Sequence, residues 1–258
     1  MTYFVTGATG FIGRHLLTHL LARKGDIYCL VRKSSLHRFD QLRERCGDEG
    51  KRLIAVQGDL AKPMLGVTPA QRKALSAKVK HFFHLAAIYD LAGDAQTQTL
   101  ANVEGTRHAL QLADDIKAGC FHHTSSIAAA GLYPGVFRED MFAEAEDLDH
   151  PYFRTKHDSE GLVRKEYKRA YRIYRPGVVI GNSKTGEIDK IDGPYYFFRT
   201  LKKLREMLPP WMPTVGLRRA HQSRPGGFCR GGDGSHRAQA RARWWLFSSD
   251  RSGAAPHR

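Results

Sequence analysis

Cysteine is scarce in this 258-residue sequence, and its four copies, Cys29, Cys46, Cys120 and Cys229, stand far apart. No two have the close spacing of a zinc site or a redox pair. They are therefore expected to be ordinary reduced thiols of a cytoplasmic protein. No stretch approaches the roughly 18 uninterrupted apolar residues of a membrane span. Met1 leads directly into the strand-like TYFVT, without the charged and then apolar regions of a secretory signal. There is no internal repeat, and nothing before residue 217 is of low complexity. Lys and Glu are both missing from residues 218–258.

The net charge is +15, with 41% hydrophobic and 26% charged residues. These proportions suit a globular protein, and the length suits one large domain or a domain with a small appendage. A strongly basic balance suggests an anionic partner: nucleic acid, an acidic lipid surface or a phosphorylated ligand. The charge is unevenly spread. Residues 218–258 hold nine Arg against two Asp, so they carry +7 of the total. Residues 1–217 are only moderately basic, which suits a phosphorylated cofactor and needs no nucleic acid.

Along residues 1–217, short apolar runs alternate with amphipathic stretches. TYFVTG, DIYCLVR, RLIAVQGDL, HFFHLAA, CFHHTSS and YRIYRPGVVIG read as strands or contain them. FIGRHLLTHLLAR, ANVEGTRHALQLADDI, YFRTKHDSEGLVRKEYKRA and GPYYFFRTLKKLREML read as helices. Strands alternating with helices predict an α/β fold, a Rossmann-type doubly wound parallel sheet covered on both faces, with right-handed crossovers.

VTGATGFIG places Gly7, Gly10 and Gly13 between the first strand and the first helix. Glycine permits positive φ in the tight turn, and without Cβ it lets backbone N–H groups approach a pyrophosphate. The helix N-terminus adds about half a positive charge there. Dinucleotide-binding folds often carry an acidic residue at the end of the second strand, for the adenosine ribose. Here Arg32 and Lys33 stand in that place. A basic pair suits the 2′-phosphate of NADP and would not bond a free ribose diol. Asp59, after the third strand, reads either as an adenine contact or as a helix N-cap.

Tyr152 and Lys156 stand four apart, so a helix would put them on one face. A neighbouring ammonium favours the ionised phenol and makes it a usable proton donor or acceptor. Ser126 ends the fifth strand, where open α/β sheets bind ligands, and could hydrogen-bond a substrate oxygen. Ser125 is the competing choice. His81, His84, His122 and His123 lie in or beside strands without accompanying carboxylates, so they read as core or surface histidines, and no metal site is expected.

These elements together resemble the extended short-chain dehydrogenase/reductase superfamily. The resemblance rests on TGATGFIG, QGDL, FHLAA, NVEGT, HHTSSIAAAG, the Tyr152/Lys156 pair and YRPGVVIG. Within it, FHLAAIYDL, SSIAAAGLYPGVFREDMF, LDHPYFRTKHDSE and YRIYRPGVVIGNSKTGEIDKIDGPYYFF look most like bacterial fatty acyl-CoA reductases and thioester-reductase-like domains. The resemblance implies a catalytic Ser126, Tyr152 and Lys156, with the position of Gly131 favouring Ser126 over Ser125. It implies cofactor contacts at Thr6, Gly7, Gly10, Phe11, Ile12 and Gly13, at Arg32 and Lys33, and at Asp59 and Leu60. It implies further contacts at Ala86 and Ala87, at Lys156, and at Pro176 beside Gly177, with Asn102 supporting the site. The implied cofactor is NADP(H), and the implied substrate is a long-chain fatty acyl-CoA or a fatty aldehyde. No nucleic-acid partner is expected, and peripheral membrane contact and oligomeric state stay open. Runner-up readings are a nucleotide-sugar epimerase or dehydratase of the same fold, and a catalytically inactive NADP-binding remnant.

The resemblance covers residues 1–217 and stops where the chain turns Arg-rich. Relatives of this type continue with a strand and helix of the kind VPVDFVVAAMDHIA. One permissible back-translation of residues 220–258, read one nucleotide later, contains that peptide, and no stop codon interrupts it. The shifted peptide follows strand and helix periodicity, whereas the actual tail follows neither. Residues 218–258 are therefore expected to be an out-of-frame, disordered tail. The reductase domain, residues 1–217, is expected to have its C-terminal substrate-binding portion cut short, with low stability and weak activity. Resequencing the gene beside a close relative should reveal a gained or lost base near codons 217–219; an unbroken frame in both would refute this reading.

Overall fold

The computed structural model describes residues 1–87 and 100–179, the single positions Lys203 and Met207, and the backbone of Gly227–Arg230. The chain divides into two compact units, Met1–Gly177 with Pro225–Arg258, and Val178–Arg224. In the second unit, Lys203 and Met207 are helical, and Met207 is largely exposed. The rest of the helix expected over GPYYFFRTLKKLREML lies outside the described residues, as does Ile180 onward in YRPGVVIG.

The first unit is built on strands β1 (Thr2–Thr6), β2 (Ile27–Val31), β3 (Leu53–Gln57), β4 (Val79–His84), β5 (Cys120–Thr124) and β6 (Tyr171–Tyr174). All six are parallel, in the order β3-β2-β1-β4-β5-β6. That is the Rossmann order, with the strand sequence reversing direction between β1 and β4. Helices α1 (Phe11–Leu21), α2 (Leu36–Arg45), α3 (Pro69–Leu75), α4 (Gly105–Asp115) and α5 (Pro151–Glu166) fill the connections. A π-helical turn, Leu100–Glu104, leads into α4, and a 3₁₀ turn, Ile127–Ala130, follows β5.

Alternate residues of each strand feed two apolar layers, as a parallel sheet covered on both faces requires. Phe4, Phe82 and Phe121 point to one face and stack in a row across β1, β4 and β5, against Leu112, Ile116 and Val163 of that layer. Tyr3, Val5, Ile27 and Cys29 point to the other, against Leu17, Leu20 and Phe39. Burial pushes the Cys29 thiol far up, out of reach of thiolate chemistry.

Three differences from the sequence expectations have local causes. Helices α2 and α3 lie in stretches with no clear helical pattern. The first buries a single residue, Phe39. The second is one short capped segment, where Thr68 and Gln71 form a capping box and Pro69 occupies the first turn. The sixth strand ends at Tyr174, short of the expected YRIYRPGVVIG, because Pro176 has no N–H to give the ladder. In the tail, where no element is expected, Gly227–Arg230 pairs antiparallel with β6 as β7. Such pairing uses backbone groups on the open edge of β6, which accept almost any sequence.

Candidate active site

Parallel strands deliver their C-terminal ends to one side of the sheet, and a crevice opens where the strand order reverses. The glycine turn leaves β1 at that point. Gly7 has φ +75°, and a Cβ there would lie 2.8 Å from Ala86 N. A Cβ on Gly13 would fall 2.1 Å from Gly7 O, so α1 can pack on the turn only with glycine there. Among the described residues, a Cβ on Gly10 would meet only Gly7 O, at 3.4 Å, so they leave the space in front of Gly10 open. Helix α1 begins with no side-chain cap and no acidic residue in its first turn. Its first N–H groups, at Phe11, Ile12 and Gly13, are therefore available to an anion, and the turn fits a dinucleotide pyrophosphate.

A basic cleft lies beside β2 and β3. Arg32, Lys33, Gln57, Gly58, Asp59 and Lys62 line this cleft of about 530 Å³ with Gly66, Thr68 and Gln71. Arg32 and Lys33 are exposed, as ligands for a phosphate should be. Lys62 has no motif to announce it; the turn through Met64, Leu65 and Gly66, all at positive φ, accompanies its inclusion in the cleft. Asp59 Oδ1 accepts from Ala61 N at 3.0 Å, so its side chain organises its own turn while facing the cleft. Leu60 differs: its side chain packs on the core, and its carbonyl meets His108 Nδ1 at 2.8 Å. Any cofactor contact it makes would come from backbone.

Beneath the turn runs a buried polar brace. Thr6 Oγ1 accepts from Ala86 N at 3.2 Å and lies 2.9 Å from His84 Nδ1. His84 Nε2 lies 3.2 Å from Thr106 Oγ1, which donates to Asn102 O at 2.6 Å. Asn102 Nδ2 in turn donates to Thr155 Oγ1 of α5 at 3.4 Å. Thr6, expected as a cofactor contact, is fully buried and acts in this brace, whereas Ala87 is exposed. Burial, with Lys156 nearby, brings the His84 pKa down to about 3, so the imidazole is neutral. His81, His122 and His123 also belong to the sheet. His81 Nδ1 lies 3.0 Å from His122 Nε2, and His122 Nδ1 lies 2.8 Å from Tyr174 OH. His123 is buried with neither ring nitrogen bonded among the described residues.

Helix α5 carries Tyr152 and Lys156, both buried. It starts cleanly because His150 Nδ1 accepts from Tyr152 N and Pro151 occupies the first turn. Lys156 Nζ donates to Thr124 O at the end of β5, 3.1 Å away, and α5 packs on the 3₁₀ turn that follows Ser126. Burial lowers the Lys156 pKa to about 8, and the Glu160 carboxylate partly opposes the shift. Ser125 and Ser126 part company here. Ser125 Oγ donates to Glu160 Oε2 at 2.7 Å and is committed. Ser126 Oγ accepts from Ala128 N at 3.1 Å and donates to none of the described residues. Pro176 is half-buried, its carbonyl accepting from Ile127 N at 3.1 Å, so it lies beside the turn after Ser126.

A Rossmann sheet with an open glycine turn at the strand-order reversal defines a dinucleotide-binding domain of the extended short-chain reductase type. Residues 5–218 match the family model described as male sterility protein, an NAD-binding domain. The chain therefore belongs to that NAD(P)-binding family. It is 35% identical over 204 residues to a linear gramicidin synthase of Brevibacillus parabrevis, covering 73% of this chain and 4% of that protein. It is 33% identical over 229 residues to the L-2-aminoadipate reductase large subunit of Penicillium chrysogenum, covering 78% of this chain and 16% of that one. The crystal structure of the terminal R domain from the myxalamid PKS-NRPS pathway superposes with a TM-score of 0.69 at 32% identity. That match covers 80% of this chain and 55% of the solved one. The chain thus spans about half of the solved domain and a small part of the curated relatives.

Replacing both Arg32 and Lys33 with Ala should weaken NADPH binding about 10- to 100-fold, the loss of one or two charge-assisted hydrogen bonds, and leave NADH affinity nearly unchanged. Fluorescence titration of both cofactors checks this; equal losses for the two would remove the pair from 2′-phosphate recognition.

Proposed function

We propose that this domain carries an NADPH-dependent reductase site for a long-chain acyl thioester, such as a fatty acyl-CoA, or for the fatty aldehyde derived from it. The observation that carries the reading is the Lys156–Thr124 hydrogen bond, which fixes the helix of Tyr152 against the strand that leads into Ser126. The names of the relatives, reductases among them, support the reaction class. The basic cleft around Arg32, Lys33 and Lys62 supports a 2′-phosphorylated cofactor. On this reading residues 1–217 are the reductase domain, and residues 218–258 recognise no nucleic acid.

The bound nicotinamide would supply a hydride. The chain supplies the remaining chemistry. Ser126 donates a hydrogen bond from its uncommitted hydroxyl to the carbonyl oxygen and orients it. Tyr152 delivers a proton to that oxygen as charge develops on it. Lys156, cationic below about pH 8, stabilises the phenolate left on Tyr152 and holds the nicotinamide ribose. For a thioester, the carbon–hydrogen bond forms and the oxygen takes the Tyr152 proton; as the carbon–sulfur bond then breaks, that hydroxyl gives its proton to the departing sulfur, which leaves as a thiol, and Tyr152 regains a proton from solvent. The products are aldehyde, thiol and NADP⁺.

Tyr152→Phe should reduce kcat about 10²- to 10⁴-fold, the usual share of a positioned proton donor, while NADPH affinity stays within about threefold. Activity of the parent chain should fall as pH rises through about 8, because the cationic form of Lys156 is the one lost. NADPH oxidation followed with acyl-CoAs, carrier-bound thioesters and aldehydes checks both. Turnover of a UDP-sugar in place of all three would overturn the substrate class.

A further inference from the structure

The Glu160 side chain is fully buried, yet it bears a charge that the reductase chemistry does not use. Burial pushes its proton affinity up, but hydrogen bonds and charge from Arg175, Ser125 and Arg164 outweigh it and hold the carboxyl below the usual range. Arg175 Nη2 reaches Oε1 at 2.6 Å and Nε reaches Oε2 at 3.0 Å; Arg164 Nε reaches Oε1 at 2.9 Å. The Ser125 hydroxyl completes the set. Isolated buried carboxylates are expensive, so a carboxylate with four donors marks a site where several elements must be joined.

The joined elements all border the proposed reacting groups. Ser125 precedes Ser126. Arg175 precedes Pro176. Glu160 lies one turn from Lys156 on α5 and two turns from Tyr152. Arg175 also donates to Met141 O at 2.7 Å and to Arg138 O at 3.2 Å, and its guanidinium lies 5.0 Å from the Phe137 ring centre. Phe142 stacks on His157 at 4.2 Å and lies 4.8 Å from the Arg164 guanidinium. The loop from Gly131 to Glu146 is closed at its base by Leu132 N donating to Glu146 O at 2.8 Å. Its far part meets the rest of the domain through the two arginines that Glu160 neutralises and through Phe142 on His157.

We propose that Glu160 is a positioning residue, which through Arg175 and Arg164 clamps the 131–146 loop and the Ser125–Ser126 strand end onto the helix that carries Tyr152 and Lys156. The proposal rests on the assignment of Ser126, Tyr152 and Lys156 made above. It also makes Glu160 the counter-charge of that region. Among the described residues, the titratable groups facing Lys156 are Glu160 and, in the proposed site, Tyr152 on its own helix, with His84 of β4 and His123 of β5, and burial keeps both imidazoles neutral. Removing the carboxylate would leave the two arginines that bond it without compensation and take from Lys156 its nearby opposite charge.

Hydrogen–deuterium exchange and ¹³C titration of lysine side chains, both on the full 258-residue chain, test this without requiring turnover. In Glu160→Gln, exchange in peptides covering 131–146 should rise about tenfold while β1, β4 and β5 stay protected. The Lys156 midpoint, assigned with Lys156→Arg, should drop by about one pH unit, since a nearby opposite charge has been lost. Glu160→Asp should loosen the loop but keep the midpoint within about half a unit. If Glu160→Gln loses sheet protection as well, Arg175→Lys is read instead, and it should loosen the loop alone. Unchanged loop exchange in whichever variant keeps its sheet overturns the proposal. So does loss of sheet protection in both, which would make the cluster a stability element only. Failure of the reductase reading would appear separately, as a firm clamp on a chain that reduces no thioester or aldehyde.

Discussion

The hydrogen bond from Lys156 Nζ to Thr124 O is the constraint on which the site depends. It ties a helix to a strand end from inside the protein, where an ammonium is costly to bury unless paired. The cost is met partly by the carbonyl and partly by the Glu160 carboxylate one turn away. Burial also sets the pH range over which the group stays cationic. A lysine in water would hold its proton far above neutral pH, whereas this one releases it near pH 8. The same interaction sets Tyr152 and Ser126 on neighbouring elements, and the hydroxyl of Ser125 is drawn off to Glu160.

At the other end of the crevice the constraints are steric. Gly7 and Gly13 are required because Ala86 and the turn itself leave no room for Cβ, while the described residues leave Gly10 open on the side where a pyrophosphate would lie. The two ends are coupled through the brace of Thr6, His84, Thr106, Asn102 and Thr155. Each side chain in it is buried, so its polar atoms must bond one another, and the bonds run from the glycine turn to the helix of Tyr152. A neutral His84 suits that position, since an imidazolium there would stand against the Lys156 ammonium.

The fold is legible in the sequence where periodicity and punctuation agree: six strands, the glycine turn and the three long described helices. Helix α2 is not, because Phe39 is its one buried residue and a charged surface helix leaves little pattern. Helix α3 has only a short signal, Thr68-Pro69 followed by Gln71, without the periodic apolar face of a longer helix. The end of β6 is marked by Pro176. In the site, the glycines, the basic pair and the Tyr152/Lys156 spacing are local signals. Lys62 is not, since no motif precedes it and its place in the cleft is seen only in the fold. The choice between Ser125 and Ser126 and the role of Glu160 depend on contacts between α5, β5 and β6, which no spacing in the sequence encodes.

The central claim is that this domain passes hydride from NADPH to an acyl carbonyl. Incubating the chain with a long-chain acyl-CoA and NADPH deuterated at the transferring position of nicotinamide C4, then analysing the products by mass spectrometry, tests it most directly, because even slow turnover leaves a label. The account predicts an aldehyde, or the alcohol from a second reduction, with deuterium on the former carbonyl carbon. Cofactor binding with no label in any acyl or aldehyde product would contradict it.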